Sequence, residues 1–396
     1  MRTQQAMRGR ERRCPAHGLL RFVLALPLLW LAGAADAVRR YDTRDGLQQN
    51  SVNTIAQDEL GFLWFGSDTG LNRFDGRRFL TPPAAIADDV DGIAISALLA
   101  EPGVLWVGTR RDGVKRIDLR ADRVAALRPG ADGFPNAGIT AMARDASGQL
   151  WCATDGAGVL RLRWRDGRFE LRHFEPAASG LPHPRAWSIT THGDMVLVGT
   201  ELGVARLRPD GEGFETVRLP APVPAQGAVN IEEIAVAPDG AWWLGTWDHG
   251  LFRVADDAAV AIGLGEGAGS PRVTSLVLVD GQPLVGFDTG VARYDPRCAC
   301  LRPVPLSSHL DGLTQRAFVR ALAPLADGGF FVGTWFNGVF QVPANAAAFQ
   351  RLLPAHPAGS ELATERVQAA LEAREGHLWV GSFGAGLQRS RAPLPQ

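Results

Sequence analysis

The stretch GFLWFGSDTGLNRFDG at residues 61–76 decides the fold of this chain, because its glycines allow two very different structures. One structure is a glycine-rich loop that holds a nucleotide phosphate. That loop requires a single turn between a strand and a helix inside a βαβ unit. The other structure is a repeated turn between two strands, and in that case the glycines serve the fold itself.

The same pattern recurs seven more times in degraded form, which favours the second structure. The residues aligned with Gly66 are spaced by 41 to 48 residues, and they are Gly66, Gly108, Ala153, Gly199, Gly245, Gly286, Gly333 and Gly381. Each copy is followed by another short apolar run and not by a helical pattern. A period of about 45 residues made of short β-type runs is typical of propeller blades. The chain is therefore predicted to be an all-β protein, a β-propeller.

The first copy illustrates the four strands that each blade is expected to contain. Strand a is predicted at 51–57, strand b at 62–67, strand c at 71–75 and strand d at 77–81. The aspartate–glycine pairs fit turns that need positive φ angles. We expect the glycine aligned with Gly66 to let neighbouring blades approach closely near the axis. We expect the tryptophan of strand b, Trp64 in this copy, to fill the space between blades.

The ends of the chain predict how the ring closes. The last copy, 365–391, lacks a strand d, and the residues after the leader, VRRYDTRDGL at 38–47, resemble one. This favours about eight four-stranded blades, with the N-terminal strand completing the last copy. The alternative is a seven-bladed ring followed by the first blade of a second propeller. Completion of a blade by the opposite terminus removes exposed sheet edges.

Residues 1–37 have the layout of a secretory signal peptide. Six arginines precede the apolar run FVLALPLLWLAGA at 22–34, and Ala35-Asp36-Ala37 fits a cleavage site. An uncleaved anchor is the alternative. We therefore expect a leader at 1–37, cleaved after Ala37, and a periplasmic or secreted propeller at 38–396. The net charge of −1 argues against a nucleic-acid partner.

Three cysteines remain after the leader, too few and too unevenly spaced for a disulfide framework or a zinc site. Cys298 and Cys300 are either a local disulfide or two separate thiols. The histidines are scattered without ligand spacing, so no metal and no cofactor is predicted.

The pattern at 45–76, with DGL, NSV, GFLWFGS and GLNRFDG in order, resembles the two-component regulator propeller repeat. The resemblance is good at 105–118, 150–162 and 378–390, weaker at 196–207 and 283–294, and the repeats together cover nearly the whole chain after the leader. It implies an extracytoplasmic sensor propeller that acts in signal transduction, in two-component or cyclic-di-GMP systems. The sandwich, membrane span and kinase or cyclase domains that commonly follow such propellers do not occur in this sequence. Either the sequence is a truncated gene product, or it is a stand-alone propeller and a membrane signalling partner chain carries the output.

The b–c turns differ most between copies, so ligand specificity is expected there. Trp247 and Trp335 would stack on a sugar ring, with hydrogen bonds from Asp248, His249 and Asn337; the alternative is that both tryptophans pack against adjacent blades. The other candidates at the channel mouth are Asp68, Arg111, Asp155, Glu201, Asp288 and Phe383. The expected ligand is a small molecule or an oligosaccharide.

Three functions remain open at this stage. A sensor without catalytic residues is favoured, because neither a G-x-S-x-G elbow nor an H-E-x-x-H motif occurs. A propeller lyase or glycoside hydrolase acting on polysaccharide is an alternative, because acidic residues recur in the turns. A protein-interaction platform is the other alternative.

Overall fold

The fold is a ring of antiparallel four-stranded sheets, one sheet for each of the first seven sequence repeats, in the computed structural model. The structure describes residues 38–225, 227–256, 258–265, 270–306 and 317–344, and the strands at 367–372, 378–382 and 386–389. The predicted β-propeller is therefore confirmed. In the first blade, the strands lie within one or two residues of the predicted bounds.

The first four blades follow the chain order, and each runs from its inner strand a to its outer strand d. Blade 1 contains β2 (Val52–Gln57), β3 (Leu63–Ser67), β4 (Leu71–Phe74) and β5 (Phe79–Leu80). Blade 2 contains β6 (Ile95–Glu101), β7 (Val104–Thr109), β8 (Val114–Asp118) and β9 (Arg123–Leu127). Blade 3 contains β10 (Ile139–Arg144), β11 (Leu150–Thr154), β12 (Val159–Arg165) and β13 (Arg168–Phe174). Blade 4 contains β14 (Ala186–His192), β15 (Met195–Thr200), β16 (Gly203–Leu207) and β17 (Phe214–Thr216).

Three further blades complete the ring. Blade 5 contains β18 (Ile231–Val236), β19 (Trp242–Thr246), β20 (Leu251–Ala255) and β21 (Ala258–Leu264). Blade 6 contains β22 (Val273–Val279), β23 (Gln282–Phe287), β24 (Gly290–Asp295) and β25 (Cys300–Val304). Blade 7 contains β26 (Val319–Pro324), β27 (Phe330–Thr334), β28 (Val339–Val342) and, as its outer strand, β1 (Arg39–Tyr41). The outer strands of blades 5 and 6 also form a short parallel pair at Gly263 and Cys300.

The N-terminal strand closes the ring on blade 7. Arg39 lies opposite Gln341, and Tyr41 lies opposite Val339. The inner strands contact one another in a closed cycle of seven, in which β26 of blade 7 contacts β2 of blade 1. The expectation that the N-terminal strand completes the last repeat is therefore wrong, and the described ring has seven blades, as in the alternative. The last repeat forms a separate three-stranded sheet, β29 (Val367–Glu372), β30 (Leu378–Ser382) and β31 (Gly386–Arg389).

Disulfide cross-linking distinguishes pairing of the N-terminal strand with blade 7 from pairing with the last repeat. Cysteines at Arg39 and Gln341 are expected to form a disulfide under oxidising conditions, because these residues are direct partners across two strands. The matched control pairs Arg39→Cys with Arg389→Cys, since Arg389 occupies the position of Gln341 in the last repeat. Peptide mass spectrometry reports the link. Cross-linking of the control pair in preference to the first pair would contradict closure on blade 7.

Glycines near the axis let each inner strand approach the next blade. A Cβ atom at Gly66 would lie 2.5 Å from Ile95 Cγ2, and one at Gly286 would lie 2.5 Å from Val319 Cγ1. The same contact joins Gly108 to Ile139, Gly199 to Ile231, Gly245 to Val273 and Gly333 to Val52. The predicted role of these glycines is confirmed, because each one faces the first, β-branched residue of the following blade.

Blade 3 has no glycine at this position, and the residue that faces it on blade 4 is correspondingly smaller. Its residue at the glycine position is Ala153, and the first residue of blade 4 is Ala186, where every other blade has valine or isoleucine. Both alanines are fully buried in the same core cluster. The extra methyl group on one blade is therefore matched by a smaller side chain on the next.

The tryptophans of strand b lie in the cores between blades, as predicted. Trp64, Trp106 and Trp151 are at most 1% exposed. Each indole donates a hydrogen bond to a carboxylate at the end of strand a or directly after it: Asp58 at 2.8 Å, Glu101 at 2.8 Å and Asp145 at 2.7 Å. Trp243 is buried between blades 5 and 6.

In the described loops between blades, the chain forms two short helices, α1 (Ala84–Val90) and α2 (Pro176–Ser179). A 3-10 helix, Thr43–Asp45, connects β1 to blade 1. Cys298 and Cys300 form a disulfide in the turn before β25, and Cys152 is a buried free thiol. No helix of the described residues is long and apolar enough to cross a membrane. The predicted leader at 1–37 lies outside the described residues.

Candidate ligand-binding site

The b–c turns and the loops that enter strand a meet on one face of the ring, as the repeat predicted. Within blades 2, 3, 4, 5 and 7, a backbone hydrogen bond joins the turn to the residue before strand a. For example, the Trp247 N–H donates to the Asn230 carbonyl at 3.2 Å, and the Trp335 N–H donates to the Phe318 carbonyl at 2.9 Å. Between blades, Gly250 N–H donates to Pro271 at 2.9 Å. These bonds hold the variable turns around the mouth of the central channel.

A β-bulge at the second residue of strand a occurs in all seven blades. In blade 1, for example, Val52 pairs with Ser67 and Thr54 pairs with Gly66, so Asn53 has no partner in the ladder. The bulged residues are Asn53, Ser96, Thr140, Trp187, Glu232, Thr274 and Arg320. A bulge redirects the side chain of the extra residue, and bulges are frequent next to functional sites. We identify these seven positions, on the innermost strands, as the lining of the channel mouth.

Three of these seven positions are occupied by hydrogen bonds between blades. Asn53 Nδ2 donates to the Ile95 carbonyl at 3.0 Å, Ser96 Oγ to the Ile139 carbonyl at 2.5 Å, and Thr140 Oγ1 to the Ala186 carbonyl at 2.6 Å. In each case the bulged residue bonds to the first residue of the following blade. Blades 1 to 3 therefore use these side chains to stabilise the ring.

Three further positions carry polar atoms that lack any protein partner. In blades 4 to 6 the bulged residues are Trp187, Glu232 and Thr274, and their Nε1, Oε1 and Oγ1 atoms are buried without hydrogen bonds. Asn230 Oδ1, Arg272 Nε and Asp288 Oδ1 are in the same condition. Because buried polar atoms are normally paired, this cluster is where a ligand or ordered water is expected to bind.

Glu233, the residue after the bulged position of blade 5, makes the lining of the channel differ between blades. The corresponding residues of the other blades, which face the axial glycine or alanine, are Thr54, Ala97, Ala141, Ser188, Ser275 and Ala321. All of these are small and uncharged. Blade 5 alone places a carboxyl group at this level, directly after that of Glu232.

The two carboxyl groups ionise with difficulty. Burial raises the pKa of Glu232 to about 7, although Arg272 opposes this shift. Burial, together with repulsion from Glu232, raises the pKa of Glu233 to about 8. Both groups are therefore largely protonated below neutral pH, and in that form each can donate a hydrogen bond.

A row of stacked aromatic and guanidinium groups borders the same side of the mouth. The Arg272 guanidinium carbon lies 3.3 Å from the Trp247 ring centroid and 5.0 Å from that of Phe318. Phe318 contacts Trp335 edge-on at 5.3 Å, and Trp335 stacks on Phe336 at 5.0 Å. Trp247 and Trp335 each remain 41% exposed, so neither is sequestered between blades.

The acidic turn residues of blades 1, 3 and 4 are engaged in ion pairs. Asp68 accepts from Asn53 Nδ2 at 2.8 Å and lies 3.4 Å from Arg110. Arg185 bridges Asp155 at 2.7 Å and Glu201 at 3.0 Å. These carboxylates have partners within the protein, unlike Asp288.

The remaining predicted residues are dispersed around the rim. Asp248 contacts His249 Nδ1 at 2.5 Å, and both are well exposed. The Asn337 carbonyl accepts from Arg40 Nε at 2.9 Å, so this turn also holds the closing strand. Arg111 is exposed at the rim of blade 2. Phe383 lies outside the described residues.

Sequence reasoning missed the bulged residues and Arg272, which lie closest to the unpaired cluster. A usable signal was present, since each bulged residue follows the first apolar residue of strand a in every copy. When the residues at this position are compared across the repeats, three of the small polar ones form the hydrogen bonds between blades. Trp187, Glu232 and Arg320 stand out because they are large or charged. In the described residues, no three His, Cys, Asp or Glu side chains are grouped as metal ligands would be.

Comparison with known proteins identifies the repeat. The family model described as "Two component regulator propeller" matches residues 46–69. A 35-residue segment is 57% identical to Histidine kinase P4 of Formosa agariphila, and it covers 9% of this chain and only 3% of that kinase.

Solved structures share the fold over most of the chain. The extracellular domain of the putative hybrid two component system BT3049 from B. thetaiotaomicron matches with a TM-score of 0.68 at 19% identity, over 91% of this chain and 49% of that one. The chain therefore spans about half of that domain. Virginiamycin B lyase from Staphylococcus aureus matches with a TM-score of 0.58 at 10% identity, over 77% of this chain and 98% of the lyase.

Proposed function

We propose that this chain, which carries the two component regulator propeller repeat, is an extracytoplasmic sensor propeller that binds a small molecule or an oligosaccharide. The ligand would bind at the channel mouth on the side of blades 4 to 7. Binding would be relayed to a membrane signalling partner, which we infer by analogy with the sensors that carry this repeat.

The observation that carries the proposal is the one-sided cluster of unpaired polar atoms. Leaving buried polar atoms without partners costs stability, so a group of them beside one part of the channel mouth fits a place where a ligand or ordered water binds. The adjoining exposed tryptophans supply flat apolar surfaces of the kind on which sugar rings stack. Polar groups that converge beside aromatic surface are typical of small-molecule sites.

Ligand-induced stabilisation tests this proposal. We expect at least one member of a glycan panel to raise the melting temperature of the wild-type protein, because binding to the native state alone stabilises it. The double variant Trp247→Ala, Trp335→Ala should lose this response. Trp164→Ala is the control, because that indole packs on Phe169 away from the channel mouth. A response retained by the double variant would contradict a site at the aromatic row.

Measuring turnover of the same glycans tests the enzymatic alternative. Asp248 and His249 form a contacting pair at the rim, and carboxyl groups lie in the channel, so catalytic turnover has to be measured and not assumed absent. A sensor releases its glycan unchanged. Turnover that disappears in Asp248→Ala or Glu201→Ala would replace the sensor function with a lyase or hydrolase function.

A further inference from the structure

The bulged residue of blade 7, Arg320, is a charge without a matching ion pair in the channel mouth, and this inference rests on the function proposed above. Burial lowers the pKa of its guanidinium, yet arginine stays positive at any ordinary pH. Its contact in the described protein is with the Trp335 ring, 5.9 Å from the centroid. Holding a partly buried cation without a carboxylate is unfavourable unless an anion from outside completes it.

Arg272 lies beside Arg320 and is also unpaired. The two guanidiniums influence each other electrostatically, and both interact with Glu232. Arg272 Nε is buried without a hydrogen-bond partner, and the ring of Trp247 fixes the plane of its guanidinium. In contrast, Arg110 and Arg185 on the same face already contact carboxylates.

The two glutamates near this pair do not neutralise it under mildly acidic conditions, whereas Asp288 acts on Arg272 and Asp68, which is already held by Arg110, acts on Arg320. Glu232 and Glu233 resist ionisation, so they present neutral groups that can donate hydrogen bonds. Asp288 provides a hydrogen-bond acceptor, because its buried Oδ1 accepts no hydrogen bond within the protein. The cluster therefore offers cationic donors for an anion and an acceptor for a hydroxyl group.

We propose that the channel mouth binds a sugar acid, with its carboxylate between Arg272 and Arg320, its ring against Trp247 and a hydroxyl group donated to Asp288. Guanidinium groups bind carboxylates through charge-assisted hydrogen bonds, which are stronger than those to neutral oxygens. The ligand class is thus distinguished from neutral glycans by its charge.

Binding of such a ligand is linked to protons. A bound carboxylate favours the neutral forms of Glu232 and Glu233, so affinity increases as the pH falls from about 8 to about 6. The other charged groups that act on these two are Glu201, Arg272 and Arg320. The arginines are in turn influenced by Asp288, Asp68 and Arg110. Of the carboxylates among them, Asp68 and Glu201 are held in ion pairs.

The test compares ligands that differ only in charge. Binding of glucuronate, galacturonate and mannuronate is measured on the full chain by ligand-detected NMR and calorimetry, beside their uncharged amides and the parent hexoses. We expect at least one acid to bind about tenfold or more tightly than its amide, a preference that Arg320→Gln abolishes. Arg206→Gln, which removes an exposed arginine on the outer part of blade 4, should retain the preference. The preference should increase from pH 8 to pH 6, and Glu232→Gln with Glu233→Gln should flatten that dependence.

Each outcome separates this inference from the proposed function. Neutral hexoses that bind as well as the acids, or an acid preference that survives in Arg320→Gln, would overturn the sugar-acid ligand and leave the sensor intact. Absence of binding by any acid would overturn the sugar-acid ligand, and if no member of the broader glycan panel binds either, the ligand-binding function fails as well. A melting temperature of Arg320→Gln equal to or above that of the wild type establishes that lost binding is not lost folding.

Discussion

Gly286→Ala is expected to lower the melting temperature by about 5 °C, although it adds only one methyl group. The added Cβ would lie 2.5 Å from Val319 Cγ1, a distance that real Cβ atoms do not show, and 3.3 Å from Ser275 Cβ. Blade 7 would have to move away from blade 6. Overpacking of this kind typically costs about 1–3 kcal/mol.

A double-mutant cycle combines Gly286→Ala with a second substitution, Val319→Ala, which is chosen to match the alanine pair between blades 3 and 4. Val319→Ala alone should also destabilise the protein, because it leaves a cavity. The double variant recreates the alanine pair of Ala153 and Ala186, so it should be more stable than the sum of the single effects by about 2 kcal/mol. The reciprocal cycle, Ala186→Val with Ala153→Gly, should show the same coupling between blades 3 and 4.

Gly263→Ala provides the matched control for this experiment. Gly263 also lies in a strand, but a Cβ there meets no atom within 4 Å. Its substitution should leave the melting temperature nearly unchanged or slightly higher. If Gly286→Ala behaves like Gly263→Ala, close approach at the axis does not explain the repeated glycine.

Glu233→Gln is expected to stabilise the protein at alkaline pH and to have little effect at acidic pH. The folded-state pKa of about 8 lies above the ordinary glutamate value of 4.5, so folding holds a proton that the unfolded chain releases. The contribution of this group to stability is therefore largest below pH 4.5 and is lost as the pH rises towards 8. Glutamine removes that loss because it never ionises.

The measurement is the melting temperature at several pH values. At pH 9 the variant should melt about 5 °C above the wild type, whereas at pH 5 the two should nearly coincide. Glu170→Gln is the control, since Glu170 is exposed on the outer strand of blade 3 and should give the same small difference at both pH values. A pH-independent effect of Glu233→Gln would mean that this carboxyl is not held neutral in the channel.

The repeat made most of the fold predictable, because local chemistry determines each blade. The copies of strand b, the turn and strand c carry the glycine and tryptophan that every blade needs, so strand order followed directly. The ring closure was not predictable in the same way. VRRYDTRDGL resembles any strand d, and only the pairing of Tyr41 with Val339 selects blade 7.

The turns that border the channel mouth were predicted from the sequence, but several of the side chains that lie there were not. Trp247, Trp335 and Asp288 lie at the rim where variable turns were expected, and whether they bind a ligand stays a prediction. Asp155 and Glu201 were selected for their charge, but Arg185 from a neighbouring loop occupies both. Arg272 and Glu232 were overlooked because they belong to strand a or its entrance, where the repeat appears uniform.

The sequence by itself determined that the chain is a propeller, because the turn residues and the apolar alternation are local properties that recur in every copy at a regular spacing. Only the tertiary structure decided which blade the N-terminal strand completes and which polar side chains remain without partners. Both depend on contacts between residues far apart in the chain. Asn53 reaches the carbonyl of Ile95 while Thr274, at the equivalent position, reaches no partner. That difference arises from the packing of neighbouring blades and from no pattern within one repeat.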